Sequence, residues 1–138
     1  MPTPHLIDEK IELTERNWRD HLLMTLSTLK VHKAIIEFEG SGDDGSITDV
    51  TLMDRDGAVL KKVEKVNIHS VTDLGVEATT LNKSLRDFCY AELEKTQLDW
   101  WNNDGGYGEM VIMPSAECPI RLDVYIRETR VDEHEFII

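Results

Sequence analysis

The chain is short of cysteine, of long apolar runs and of positive charge, and each shortage removes a class of function. Cys89 and Cys118 are its 2 cysteines in 138 residues. They are well separated and neither has a CxxC partner, so a secreted disulfide framework, a zinc ribbon and a thioredoxin-type redox site have no local support. Both are read as ordinary thiols. No apolar run approaches the roughly 20 residues needed to span a bilayer. The first residues, MPTPHLIDEKIELTER, are acidic and lack the apolar stretch of a signal peptide, which makes a cytoplasmic location the expectation. Lys and Arg together number 15 against 27 Asp and Glu, a formal net charge of −12. A field of that sign repels nucleic-acid phosphates and anionic membranes and attracts basic partners. Direct nucleic-acid binding and membrane association are therefore not expected.

Catalytic signatures are also missing. The histidines His5, His21, His32, His69 and His134 form no HExxH or other helical ligand pair. No serine or cysteine sits in a GxSxG context. The glycines near residue 105 lack the Gly-Lys-Ser/Thr ending of a phosphate loop, and no helix follows them. With no nucleophile, no oriented base and no cofactor motif, a non-enzymatic role is favoured over catalysis.

What is present suits one domain, residues 1–138. Hydrophobic residues make up 41% of the chain, and a chain of this length buries roughly two-thirds of its unfolded surface. There is no internal repeat, low-complexity segment or linker. Ile11, Trp18, Leu22, Leu26 and Leu29 recur at spacings of seven, four, four and three, predicting an amphipathic helix from about Leu6 to Lys30, started by Pro4 and capped by Thr3 or Asp8. HKAIIEFEG alternates Ile36 and Phe38 with Glu37 and Glu39, as a strand does. GSGDDG is a turn, SITDVTLMD a second strand and AVLKKVEKVNIH a third, joined by connections too short for parallel crossovers. Ser70 to Thr80 reads as a loop. Leu81, Leu85, Phe88, Cys89 and Leu93 mark a second helix, capped by Thr79 or Thr80 and ending near Gln97. YGEMVIM and PIRLDVYIRE follow as strands, the second alternating Ile120, Leu122, Val124 and Ile126 with polar residues. The tail, TRVDEHEFII, either docks on the core or pairs as an edge strand, because Phe136, Ile137 and Ile138 would otherwise form an exposed patch. The expected fold class is α+β, a mostly antiparallel sheet of about five strands packed against two helices in the order α-β-β-β-α-β-β.

Three segments attract functional interest. Asp44-Gly45-Ser46-Ile47 is similar to the centre of an EF-hand, but with Gly45 in the sixth position the first, third and twelfth positions fall on Gly40, Gly42 and Thr51, which rejects that site. A less regular divalent-cation site on the carboxylates of Glu39, Asp43 and Asp44 stands beside the simpler reading of a hairpin turn. Trp100 to Glu109, WWNNDGGYGE, places two tryptophans at a helix exit, of which at least one is expected to be buried. It is read either as a binding loop with aromatic anchors or as a packed turn. His134, between Glu133 and Glu135, is a candidate metal or acid–base group, or a solvated tail residue.

The blocks IIEFEGSGDDGSI, LRDFCYAELEKTQLDWWNNDGGYGE and DEHEF, in that order, resemble a bacterial family catalogued as domain of unknown function 6878, over roughly Ala34 to Phe136. Gly40, Gly42, Asp43 and Gly45 fit its first turn, with Asp44 in place of a small hydroxyl residue. Trp100, Asn102, Asn103, Asp104, Gly105, Gly108 and Glu109 fit its loop, with Trp101 where an acidic residue is commoner. His134, Glu135 and Phe136 fit its ending. The resemblance implies a small bacterial or mobile-element protein and brings no activity with it.

The leading expectation is an acidic interaction protein that binds a basic protein partner, in the manner of nuclease-inhibiting immunity proteins and phage-encoded anti-defence proteins such as anti-CRISPR inhibitors, through Asp43, Asp44, Trp100, Trp101, Asp104, Tyr107 and Glu109. The alternative is a metal-binding module or metal-dependent hydrolase in which Asp43, Asp104, Glu109 and His134 converge on a divalent cation. A homo-oligomer formed through a sheet edge or the tail is a third expectation.

Overall fold

A computed structural model of the protein describes residues 15–42, 44–72, 75–101, 105–127 and 132–138, with the side chains of 15, 16, 69–72, 75–77 and 132 excepted. Its elements run α1 (Glu15–Thr28), β1 (Lys33–Ser41), β2 (Asp44–Met53), a 3-10 turn (Lys62–Lys65), β3 (Asn67–Thr72), β4 (Gly75–Thr80), α2 (Leu81–Thr96), β5 (Gly106–Ile112), β6 (Ile120–Ile126) and β7 (Asp132–Ile137). The class is α+β, with two helices and a five-stranded antiparallel sheet in the order β2-β1-β5-β6-β7. The capping residues expected near Pro4 and the residue Ile11 lie outside the described residues.

The periodicities explain the elements. Trp18, Leu22 and Leu26 are buried along α1, and Leu81, Leu85, Phe88, Cys89 and Leu93 along α2. Thr80 Oγ1 accepts from the Lys83 backbone N–H at 3.2 Å and caps α2. Gln97, at φ 59°, turns the chain out of the helix in the left-handed region. The two helices meet where the Trp18 and Phe88 rings stand edge to face at 5.3 Å and Trp18 Nε1 donates to Ser84 Oγ at 3.3 Å. That bond satisfies a buried indole and a buried hydroxyl together.

The sheet keeps one face for this core. Ala34, Ile36 and Phe38 of β1, Met110 and Ile112 of β5, and Ile120, Leu122 and Val124 of β6 are buried in the same cluster as the helical residues. The tail forms β7, the edge strand, and Phe136 packs against the core from it. On the opposite edge the Tyr90 hydroxyl of α2 accepts from the Ile47 N–H of β2 at 2.8 Å.

Two segments differ from the sequence expectation. Residues 58–69 do not form one strand: Val59 makes a single bridge to Met53, Lys62–Lys65 close a 3-10 turn, and only from Asn67 does the chain extend. Val59, Val63 and Val66 are four and three apart, the spacing of a helical turn and not of a strand. The segment 70–80, expected as a loop, contains β4, which pairs with β3 in a separate two-stranded sheet. The third strand therefore does not join β1 and β2 in one sheet.

The cysteines differ in chemistry because they differ in place. Burial pushes the Cys89 thiol well above its ordinary pKa, with Glu92 adding to the effect, while Cys118 is exposed in the turn before β6. In the folded chain one thiol should react with an aromatic disulfide reagent within seconds to minutes, and the second only as fast as the protein unfolds. Substituting Cys118→Ser should remove the fast phase alone.

Candidate functional site

The glycine turn and the tryptophan loop meet at one end of the sheet. Trp100 is buried, 5% exposed, with its ring edge to face against Phe38 at 5.3 Å, whereas Trp101 is 42% exposed. The chain carrying both crosses the end of the β1–β2 hairpin at Gly40 and Gly45. A Cβ on Gly40 would stand 2.7 Å from the Trp100 carbonyl oxygen and 2.8 Å from Trp101 Cα, and one on Gly45 would stand 2.7 Å from the Trp100 ring. These glycines make room for a tryptophan clamp, and the packed-turn reading accounts for Trp100.

The outer face of the sheet, turned away from the helices, is chemically different. Strand pairing sets Asp49 of β2 opposite Glu37 of β1, Glu37 opposite Glu109 of β5, Glu109 opposite Asp123 of β6, and Asp123 opposite Glu135 of β7. One carboxylate from every strand thus stands in a single row, at the roughly 4.8 Å inter-strand spacing of any sheet. Like charges directly opposite one another destabilise a sheet. The adjacent row reads Ser46, Glu39, Tyr107, Tyr125 and Glu133, and the one on the other side Thr51, Ile35, Val111, Arg121 and Ile137.

Few of these charges are neutralised among the described residues. Asp49 Oδ1 accepts from the Val50 N–H at 2.9 Å. Arg121 Nε donates to Asp123 Oδ2 at 3.0 Å, and an Arg127 guanidinium nitrogen to Glu39 Oε1 at 3.1 Å. Among the described residues Glu37, Glu109 and Glu135 enter no ion pair. Asp123 is the buried member of the row, 6% exposed, and its Oδ1 has no hydrogen-bond partner. Tyr107 and Tyr125 stack at 5.0 Å, and the Arg127 guanidinium lies 5.0 Å from the centroid of Tyr107. Partial burial first, then the charges of Glu133, Asp123 and Glu109, push the Tyr125 phenol above its ordinary value of 10.0.

The residues singled out from the sequence separate accordingly. Tyr107 and Glu109 belong to the outer face. Trp100 belongs to the core, Trp101 to the clamp beside Gly45, and Asp44 to the exposed end of the hairpin. Asp43 and Asp104 lie outside the described residues. Glu109 and His134 do not converge. Glu109 is paired in the row with Asp123, while His134 pairs with Val124 and stacks on Phe136, on the core side of β7. The expected four-residue cation site therefore loses the meeting of two of its groups, because successive residues of a strand point to opposite faces. Among the described residues no group of three or more His, Cys, Asp or Glu is arranged to hold a metal ion. Sequence reasoning missed Glu37, Asp49, Asp123 and Glu135 as site residues. Each was legible as the polar member of an alternating strand, but their alignment depends on register.

A separate cleft of about 380 Å³, lined by Lys30, His32, Asp54, Arg55 and Asp56 among others, lies beyond the C-terminal end of α1. Its Asp54 carboxylate is already engaged, Oδ1 accepting from the Asp56 and Ala58 N–H groups at 2.9 Å each. No helix among the described residues is long and apolar enough to cross a membrane.

Two tests follow from this geometry. Gly40→Ala should lower stability by about 1–3 kcal/mol, the usual range for overpacking, and red-shift tryptophan emission as the clamp opens. Gly42→Ala, with open space around its φ of +57°, should leave the emission unchanged. In an alkaline absorbance titration, one phenol should ionise above pH 10 and disappear in Tyr125→Phe. Since the folded chain holds that proton more tightly than the unfolded chain, the associated stability is full below pH 10 and is lost as pH rises through the folded value.

No curated protein and no solved structure matches the chain. A family model described as a family of unknown function, DUF6878, matches residues 13–138, and the chain belongs to that family.

Proposed function

We propose that the protein is an acidic interaction module that binds a basic protein partner through the outer face of its five-stranded sheet. The observation that carries this is the row Asp49, Glu37, Glu109, Asp123 and Glu135. A sheet that only had to fold would gain by placing a cation or a threonine at alternate rungs. Here repulsion between neighbours is retained, with Asp49, Glu37 and Glu135 of the row exposed. A surface of one sign complements a basic partner, speeds its approach and rejects polyanions. An inhibitor that occupies a partner's basic surface is the simplest form of this function, since it requires no catalytic group.

The expectation from sequence is thereby moved. The surface proposed is the sheet face, with Tyr107 and Glu109 on it, and not the tryptophan loop.

The test is a capture experiment from a bacterial lysate with the chain immobilised, run beside the double variant Glu37→Lys, Glu135→Lys. Both positions are exposed, so the variant should melt within a degree or two of the parent or somewhat above it. Proteins held by the parent at low salt should elute as ionic strength approaches 1 M, where the screening length falls to about 3 Å, and should not be retained by the variant. Retention through high salt, or equal retention by the variant, would contradict the proposal.

A further inference from the structure

We infer that the outer face reads arginine: a guanidinium from the partner seats on the Asp123 carboxylate, against the ring of Tyr125 and between Glu109 and Glu135 on the neighbouring strands. This rests on the proposal that the acidic face is the docking surface and names the chemical group it takes.

The first observation is Asp123 itself. Its side chain is only 9% exposed, Oδ2 is held by Arg121, and Oδ1 is buried with no donor. A buried carboxylate oxygen without a hydrogen bond lowers stability, and in a folded protein such a group calls for a missing partner. Asp123 lies within the row between Glu109 and Glu135, which enter no ion pair among the described residues. Second, the same face already holds one arginine in this manner. Arg127 lies over Tyr107 and bonds Glu39, combining a tyrosine face with a carboxylate. One strand across, Tyr125 is surrounded by the charges of Glu133, Asp123 and Glu109, and among the described residues no guanidinium lies over its ring.

Third, the spacing selects the cation. Carboxylates on rungs roughly 4.8 Å apart suit a planar fork that bonds two neighbouring strands at once. A guanidinium does this while laying its face on tyrosine; an ammonium, a compact and strongly hydrated point charge, does not. Because the carboxylate is closed to solvent in the free chain, the incoming guanidinium displaces Arg121, which reaches Oδ2 alone, and its fork takes Oδ2 and Oδ1 together. Arg121, whose side chain is 46% exposed, moves into water.

The experiment is calorimetric titration of the full chain, at about 50 mM salt so that screening is weak, with two peptides alternating glycine with arginine or with lysine. The arginine peptide should bind about tenfold more tightly, the value of one charge-assisted hydrogen bond. Asp123→Asn should reduce it to the lysine level, Arg121→Ala should tighten it, and Glu94→Gln, exposed on α2, should change nothing. If Asp123→Asn does not fold, the pair Glu109→Gln, Glu135→Gln serves the same purpose. Equal binding of both peptides, lost in the Glu37→Lys, Glu135→Lys variant, would overturn the arginine seat and leave the acidic docking face standing. Binding of neither peptide would overturn both.

Discussion

The pairing of β1 with β5 commits every side chain of the large sheet to one of two environments. β1 is joined to β2 by a short hairpin, but β5 arrives after two further strands and a helix, so their alignment is fixed by packing. Phe38 over Gly108 and Trp100 against Phe38 set that register from the core side. With β1 held in place, a slip of one residue would put Glu109 into the core and Met110 into water. The row of carboxylates on the outer face is thus a consequence of the same contacts that bury the apolar ones.

The tryptophan loop and the glycine turn support the proposed docking face without forming it. Gly40 and Gly45 let the Trp100–Trp101 backbone lie directly on the hairpin end, and Trp100 then holds Phe38 in place. The chain carries an aromatic clamp on the core side of the sheet and an acidic row on the other, both attached to β1. Stability and the proposed binding share a strand while using opposite faces of it. That separation allows charge to accumulate on the outer face without a carboxylate entering the core.

The fold was legible where one periodicity ran cleanly. The four-and-three spacing from Leu81 to Leu93 and the strict alternation from Ile120 to Ile126 named their elements and their buried faces. The burial of one tryptophan of the pair followed from its size. Residues 58–69 were less legible because valines at helical spacing were read as a strand on composition. The hairpin strand 75–80 carries no run of apolar alternation to announce it. His134 was placed with Glu109, although its parity with Phe136 in the sequence EHEF already assigned it to the apolar face. The acidic row itself could not be read from the chain. Its five members come from five strands, each carboxylate is an ordinary wet-face residue in its own segment, and only the register brings them into line.

Docking of a basic partner on the outer sheet face can be mapped residue by residue. Backbone amide resonances would be followed while a short arginine-rich peptide is titrated into the isotopically labelled full chain. Shifts should concentrate on Glu37, Glu109, Asp123, Tyr125 and Glu135 and their strand neighbours, with α2 unmoved. Shifts concentrated instead along α2, or around Lys30, His32 and Arg55 at the far cleft, would contradict it.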